Sequence, residues 1–385
     1  MKIGLITNLT NIDQFVSTKL TTANAEEWMQ ATGGNTGNVA FVKGVTNLLD
    51  HKVSIVNWGD NPKSVKQAYD HIVVCCANQI GAHCDLAGWV RRFSAFDLPV
   101  TFIGLGAQSD QIGNIPEIPE GSKKLLEFTK HLRINPNKTN IITRGKFSSD
   151  VIQHYNMESS PFGCPSQFIS LEIELGKRCL AHQNRSSHER VITAAGNPYH
   201  PSGSLESVLT EIVEKYRGDY ILQHPKLLIQ LGLGEVSEFN ESTKAVLERT
   251  YGRLGKFSDI ASWFESYGVF FADALNWMHY SRHFTLAIGP RYHGVALPIQ
   301  AGVPGKVISI DSRTHELAST TGVPVVPYQT INGMSAESLV ESCKWTASDA
   351  THYDNVRREN ASNYIDFLNN NKLPINPNLK KLCDA

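Results

Sequence analysis

Short apolar runs rich in β-branched residues recur along the chain at 2–7, 52–58, 71–77, 99–106 and 140–144. A second set follows at 190–195, 227–232, 268–272, 285–289 and 306–311. Helix-like segments, among them 205–216, 241–254 and 258–266, lie between them. Near-continuous apolar strands alternating with helices predict parallel sheets covered on both faces. A polar stretch at 181–189 separates the two sets. The pattern therefore predicts two Rossmann-like α/β domains, 1–185 and 186–385. Helix-like sequence at 335–343 and 353–370 closes the second domain, and the C-terminal helix is expected to pack back on the first. Ligands of open α/β sheets sit beyond the carboxyl ends of the strands. Two such domains facing each other place the active site in the cleft between them.

Composition narrows the classes. At 385 residues the chain suits two domains, and 41% hydrophobic against 19% charged residues gives each a sizeable core. A formal net charge of −1 argues against a protein whose main partner is a nucleic-acid backbone. It leaves room for a local basic pocket. No stretch approaches the ~18–20 apolar residues of a spanning helix, and the N-terminus reads as a strand rather than a signal peptide. The seven cysteines are odd in number, include an adjacent pair and form no CxxC. That is the pattern of reduced thiols in a cytoplasmic protein, not of a disulfide framework or a zinc site.

Candidate chemistry gathers at the predicted strand endings. Thr32-Gly33-Gly34-Asn35-Thr36-Gly37-Asn38 precedes a helical pattern. It reads either as a loop bringing its amides to an anionic ligand or as a Gly/Asn turn capping that helix. Gly104-Leu105-Gly106-Ala107-Gln108 ends a strand, where Gln108 could meet sugar hydroxyls or simply belong to a tight turn. In Thr143-Arg144-Gly145-Lys146-Phe147-Ser148-Ser149 an arginine closes a buried strand, and Ser148 or Ser149 can cap the next helix. An arginine there faces the crevice, its planar fork suited to carboxylate or phosphate. A structural salt bridge is the competing reading.

The richest motif is Gly289-Pro290-Arg291-Tyr292-His293-Gly294, followed one strand later by Asp311-Ser312-Arg313-Thr314-His315-Glu316. Arg291, His293 and Arg313 thus leave two neighbouring strands together. Two guanidinium groups and an imidazole suit a substrate with both carboxylate and phosphate, and the imidazole can move a proton near neutral pH. Other histidines show no metal-ligand spacing, and no G-x-S-x-G elbow exists.

Together these motifs resemble the polysaccharide pyruvyl transferase family. The matching pieces are TGGNTGNVAF, ITRGKFSSD with FGCPS at 162–166, and RYHG…QAGVP…ISIDSR at 291–313. The resemblance implies twin Rossmann-like domains in a GT-B-like arrangement. It implies transfer of a pyruvyl unit from phosphoenolpyruvate to two hydroxyls of one sugar, forming a cyclic pyruvate ketal and releasing phosphate. His293 would be the catalytic acid/base, with Arg144 and Arg313 as donor ligands and Arg291 assisting. Two departures stand out: many members carry Lys where this chain has Arg313, and Ser where it has Gly289. No cofactor or metal is implied, since phosphoenolpyruvate is a substrate. Asn35, Asn38 and Gln108 fall on the first-domain loops where such enzymes hold acceptors.

Two other classes remain open. One is a GT-B glycosyltransferase with a nucleotide-sugar donor, for which Glu235 or Glu316 could contact ribose or diphosphate. The other is a non-catalytic sugar- or phosphate-binding module. The pyruvyl reading belongs to surface-polysaccharide biosynthesis, with a lipid-linked or nucleotide-linked sugar as acceptor. It places the protein in the cytoplasm, or peripherally at the inner membrane face where the acceptor is lipid-linked.

Overall fold

The computed structural model describes residues 1–9, 22–50, 52–109, 114–185, 188–199, 203–331 and 333–383. Among the described residues, eleven strands form two wholly parallel sheets. The first comprises β1 (Ile3–Ile6), β2 (Ser54–Ile55), β3 (His71–Cys75), β4 (Val100–Leu105) and β5 (Ile141–Thr143), in the order β2-β1-β3-β4-β5. The second comprises β6 (Val191–Ala194), β7 (Tyr220–Ile221), β8 (Gly268–Val269), β9 (Leu286–Gly289), β10 (Gly305–Ser309) and β11 (Val325–Pro327), in the order β11-β10-β9-β6-β7-β8. The second is the doubly wound 3-2-1-4-5-6 order of dinucleotide-binding folds. Each sheet reverses its winding once, between β1 and β3 and between β6 and β9. These two switch points are where a crevice opens beyond the strand ends.

The central strands are buried throughout their length, β3 and β4 included, which explains their continuous rather than alternating apolar sequence. One expected strand is a helix. The run at 227–232 forms the helix Lys226–Gly232, capped by Pro225, with Leu227, Leu228, Ile229 and Leu231 buried. A short apolar run bounded by Pro and Gly fits a buried strand or a helix apolar on every side, and periodicity cannot separate them. The strand position is taken instead by the two fully buried residues of β7. The edge strand β11 leaves no mark in the hydrophobic pattern, because Val325-Val326-Pro327 is too short to form a run.

Two helices tie the halves together. Leu175–Arg185, on the first-domain side of the expected boundary, packs on Ala347–Asn370 and on Tyr292–Gln300. Within Ala347–Asn370, Arg357 is fully buried. It donates to the carbonyls of Gln167 (3.0 Å), Glu172 (2.5 Å) and Ser170. Further along, the Tyr364 hydroxyl donates to Gly163 O at 2.8 Å, and Ile375 bridges Leu49 in the first domain. Asp354 accepts from the Gly176 and Lys177 amides, so it caps the other helix. Among the described residues no helix is long and apolar enough to cross a membrane.

Candidate active site

The carboxyl ends of both sheets border one cleft of about 570 Å³. From the first domain come Asn8 after β1, the loop residues Gly33, Gly34, Asn35 and Asn38, Asn78 after β3 and Arg144 after β5. From the second come Asn197 after β6, Gln223 and His224 after β7, Arg291 and His293 after β9, and Asp311 and Arg313 after β10. Parallel strands deliver these side chains to one edge because every strand ends on the same side.

Arg144 is the most constrained of them. It is 6% exposed; its Nε donates to Gly104 O at 3.1 Å and its Nη1 to Asn78 Oδ1 at 2.7 Å. The guanidinium lies over the Phe41 ring, 5.8 Å from the centroid. All these partners are neutral, and no carboxylate pairs with Arg144 among the described residues. A structural salt bridge is therefore not its role. Burial lowers its pKa, and the neighbouring Arg313 charge adds to that effect. The Glu316 carboxylate acts on Arg144 without forming a salt bridge, and a buried cation with no paired counter-charge is costly unless an anion completes the site.

Arg291 and Arg313 are held differently. Arg291 occupies the N-cap position of the helix Tyr292–Gln300 without capping it through its side chain and donates to His224 O at 2.8 Å, and burial with the Arg313 charge pushes its pKa down to about 10. Arg313 pairs with Asp311 at 3.2 Å. Burial works against the Asp311 carboxylate, yet Arg313 and the Thr314 hydrogen bonds hold its pKa below the ordinary value. The cleft is thus lined by three guanidinium groups and one carboxylate, and the helix Tyr292–Gln300 adds its positive N-terminal end.

His293 sits among these charges, half-buried, its Nε2 3.5 Å from Cys164 Sγ. Burial, then the Arg144 charge, pushes it down to about 3. The expectation of a ring titrating near neutrality does not hold for the unliganded cleft, where the imidazole is neutral. An anion screening Arg144 moves it back up.

The Gly-rich loop is not an anion cradle. The Thr36 amide bonds Gln223 O, the Gly37 amide bonds Asn35 Oδ1, and the Asn38 amide bonds Asn35 O. The Asn38 side chain donates to the Thr32 and Gly33 carbonyls at 2.8 and 3.2 Å. The loop instead docks the first domain on the second. The Thr36 hydroxyl reaches Leu222 O at 3.1 Å, and a Cβ on Gly37 would stand 2.4 Å from Gln223 Oε1. Of the first-domain candidates, Asn35 and Asn38 line the cleft. Gln108 does not: it is exposed and meets Arg313 Nη1 at 3.4 Å on the rim.

The two glutamates considered for ribose or diphosphate are engaged elsewhere. Glu316 accepts from the Ser148 amide (2.8 Å) and hydroxyl (3.1 Å), so it caps the helix Lys146–His154 across the interface. Neither Ser148 nor Ser149 is the cap; Gly145 holds that position. Glu235 accepts from the Ala25 amide at 3.1 Å. Gly289 leaves no space for the serine common in the resembled family, since any Cβ would lie 2.6 Å from Ala194 O. Asn78, Cys164, Gln223 and His224 belong to the site and were not singled out in the sequence. Only Cys164 lay within a quoted motif. Among the described residues no three His, Cys, Asp or Glu side chains gather as a metal site.

No family model matches the chain, and no curated protein matches it. Among solved structures it is similar to the UDP-GlcNAc 2-epimerase from Neisseria meningitidis bound to UDP-GlcNAc, with 11% identity, 100% of this chain and 99% of that chain covered, and a TM-score of 0.41. It is also similar to the Methanocaldococcus jannaschii UDP-GlcNAc 2-epimerase in complex with UDP-GlcNAc and UDP, with 11% identity, 93% and 99% covered, and a TM-score of 0.39. The fold itself is read from strand order and connectivity. Two Rossmann-like α/β domains face a cleft in a GT-B-like arrangement.

Proposed function

We propose that the protein is a pyruvyl transferase, moving the pyruvyl unit of phosphoenolpyruvate onto two hydroxyls of a sugar and releasing phosphate. The observation that carries this reading is Arg144: a buried guanidinium with only neutral partners, opening on the same cleft as His293, Arg291 and Arg313. Phosphoenolpyruvate brings a carboxylate and a phosphate, and so supplies the charges this site lacks.

The steps balance with these residues. A proton adds to the methylene carbon of phosphoenolpyruvate, and a sugar hydroxyl bonds to the central carbon, losing its proton. Phosphate then departs with the C–O electron pair, and a second hydroxyl closes the ketal. Its proton leaves with the phosphate. His293 is the group that carries protons in the cleft, and the arginines stabilise charge on the departing phosphate. Asn35 and Asn38 would meet the acceptor. The acceptor is a nucleotide-linked or lipid-linked sugar.

Glycosyl transfer from a nucleotide sugar is the second reading, favoured by the doubly wound order of the second sheet. Against it, Glu235 and Glu316 are held at first-domain helices. The deciding experiment is phosphate release from phosphoenolpyruvate with galactosyl, mannosyl and glucosyl acceptors, alongside thermal shifts. A ligand at 100 times its Kd adds about 2.7 kcal/mol. Stabilisation by phosphoenolpyruvate, acceptor-dependent phosphate release and loss of that release in His293→Ala support pyruvyl transfer. Stabilisation by nucleoside diphosphates alone overturns it.

A further inference from the structure

In the reaction above His293 delivers a proton to the donor's methylene carbon, yet its ring is neutral in the unliganded cleft. Its surroundings supply the missing proton. Cys164 is 0% exposed, and its sulfur accepts the Ser166 hydroxyl at 3.1 Å. Burial pushes the thiol up, so the sulfur keeps its hydrogen in the resting site. A buried S–H seeks an acceptor, and His293 Nε2, 3.5 Å away, is its partner. That bond fixes the ring as the tautomer with hydrogen on Nδ1. Nδ1 has no protein hydrogen bond among the described residues. It faces Gly37, where a Cβ would stand only 3.2 Å away, so the glycine keeps this nitrogen clear beside the cleft-lining loop.

We propose that Cys164 is the positioning residue and proton store of His293, acting through the imidazole ring. The inference rests on the pyruvyl-transfer reading for its second half, the transfer itself. As the Nδ1–H bond breaks and its proton joins the methylene carbon, the Cys164 S–H proton passes to Nε2. The thiolate left behind lies near Arg144, whose charge favours it, and accepts the Ser166 hydroxyl. When the first sugar hydroxyl attacks, its proton enters at Nδ1, and the Nε2 proton returns to sulfur. Besides His293 and Arg144, the titratable groups around the sulfur are the Tyr292 and Tyr364 phenols, both pushed up by burial. They stay protonated over the working range.

The tautomer can be read without any reaction, by nitrogen NMR of the full chain labelled at histidine, with His293 identified by comparison with His293→Gln. The expected spectrum has Nε2 unprotonated and Nδ1 protonated in the wild type and in Cys164→Ser. In Cys164→Ala the ring shifts toward the Nε2–H form. A wild-type ring protonated at Nε2, or a Cys164→Ala spectrum unchanged from it, overturns the inference. In the phosphate-release assay Cys164→Ala should lower kcat about a hundredfold. KM for phosphoenolpyruvate stays the same, the acid limb of the pH profile moves, and Cys164→Ser recovers most of the rate. Unchanged kcat and pH profile in Cys164→Ala also overturn it. Should the wild type neither bind phosphoenolpyruvate nor release phosphate, the pyruvyl reading fails, while the NMR result still decides the role of Cys164.

Discussion

At Arg144 the requirements of folding and of binding oppose each other. The side chain is buried, makes two hydrogen bonds to neutral oxygens and forms no salt bridge among the described residues. Arg144→Met should therefore leave the unliganded melting temperature equal or higher, because an uncompensated charge is removed. The same variant should lose the melting-temperature increase caused by phosphoenolpyruvate, and kcat/KM should fall by about three orders of magnitude. Parallel thermal scans with and without phosphoenolpyruvate check both halves. His71 makes a prediction of a different kind. It is 1% exposed, its Nε2 meets Thr101 Oγ1 at 2.8 Å, and burial pushes it down from 6.5 to about 4. As pH falls the unfolded chain takes up the proton first. Stability is therefore fully present above pH 6.5, declines between 6.5 and 4, and has lost roughly 3 kcal/mol below that. His293 acts in the same direction down to about 3. Urea titrations from pH 7 to 4 should show a shallower decline in His71→Leu.

Among the elements, the helix Lys146–His154 shows how the two domains share their polar groups. Its first turn has no side-chain cap of its own, and Glu316 from the other domain accepts both the amide and the hydroxyl of Ser148. Glu316→Ala should cost about 1–2 kcal/mol, the usual worth of a helix cap, measured by urea unfolding. It should also raise KM for phosphoenolpyruvate, because Arg144 stands two residues before that helix. The loop at 32–38 performs the opposite exchange, with first-domain donors meeting the Leu222 and Gln223 carbonyls. Gly37→Ala would place a methyl group against the Gln223 amide and His293 Nδ1. Its expected outcome is a large loss of kcat with the far-ultraviolet circular dichroism preserved.

For the whole molecule, the long helix Ala347–Asn370 determines whether the halves behave as one unit. Arg357 donates to three carbonyls in the segment 167–172, while Asp354 caps the helix Leu175–Arg185. Removing Arg357 leaves the buried Gln167 carbonyl and the part-buried carbonyls of Ser170 and Glu172 without this donor. Arg357→Ala should then destabilise by about 3–5 kcal/mol. Calorimetry of the wild type should give one transition, and the variant should give a lower or divided one. The cleft depends on this tie, since Arg144 comes from one sheet and Arg291, His293 and Arg313 from the other.

Much of this was legible in the chain. The apolar runs at 71–77, 99–106 and 285–289 mark buried parallel strands because both faces are covered, and burial on both faces leaves its record in each residue. The strand-end arginines and His293 could be located because parallel topology sends every strand ending to one edge. The run at 227–232 reads as a strand and is a helix, since a helix buried on all sides and a buried strand require the same residues. Partners distant in sequence were equally hidden. Glu316 on Ser148, Cys164 on His293 and Gln223 beside Gly37 are separated by more than a hundred residues, and no local pattern encodes such a contact. Sequence alone placed Arg144, Arg291, His293 and Arg313 at the cleft's edge, while Asn78, Gln223 and His224 carry no local signal of reaching it. Only the tertiary structure decided which of them are neutralised and which stay unpaired, because hydrogen bonding and desolvation depend on what surrounds a group in space.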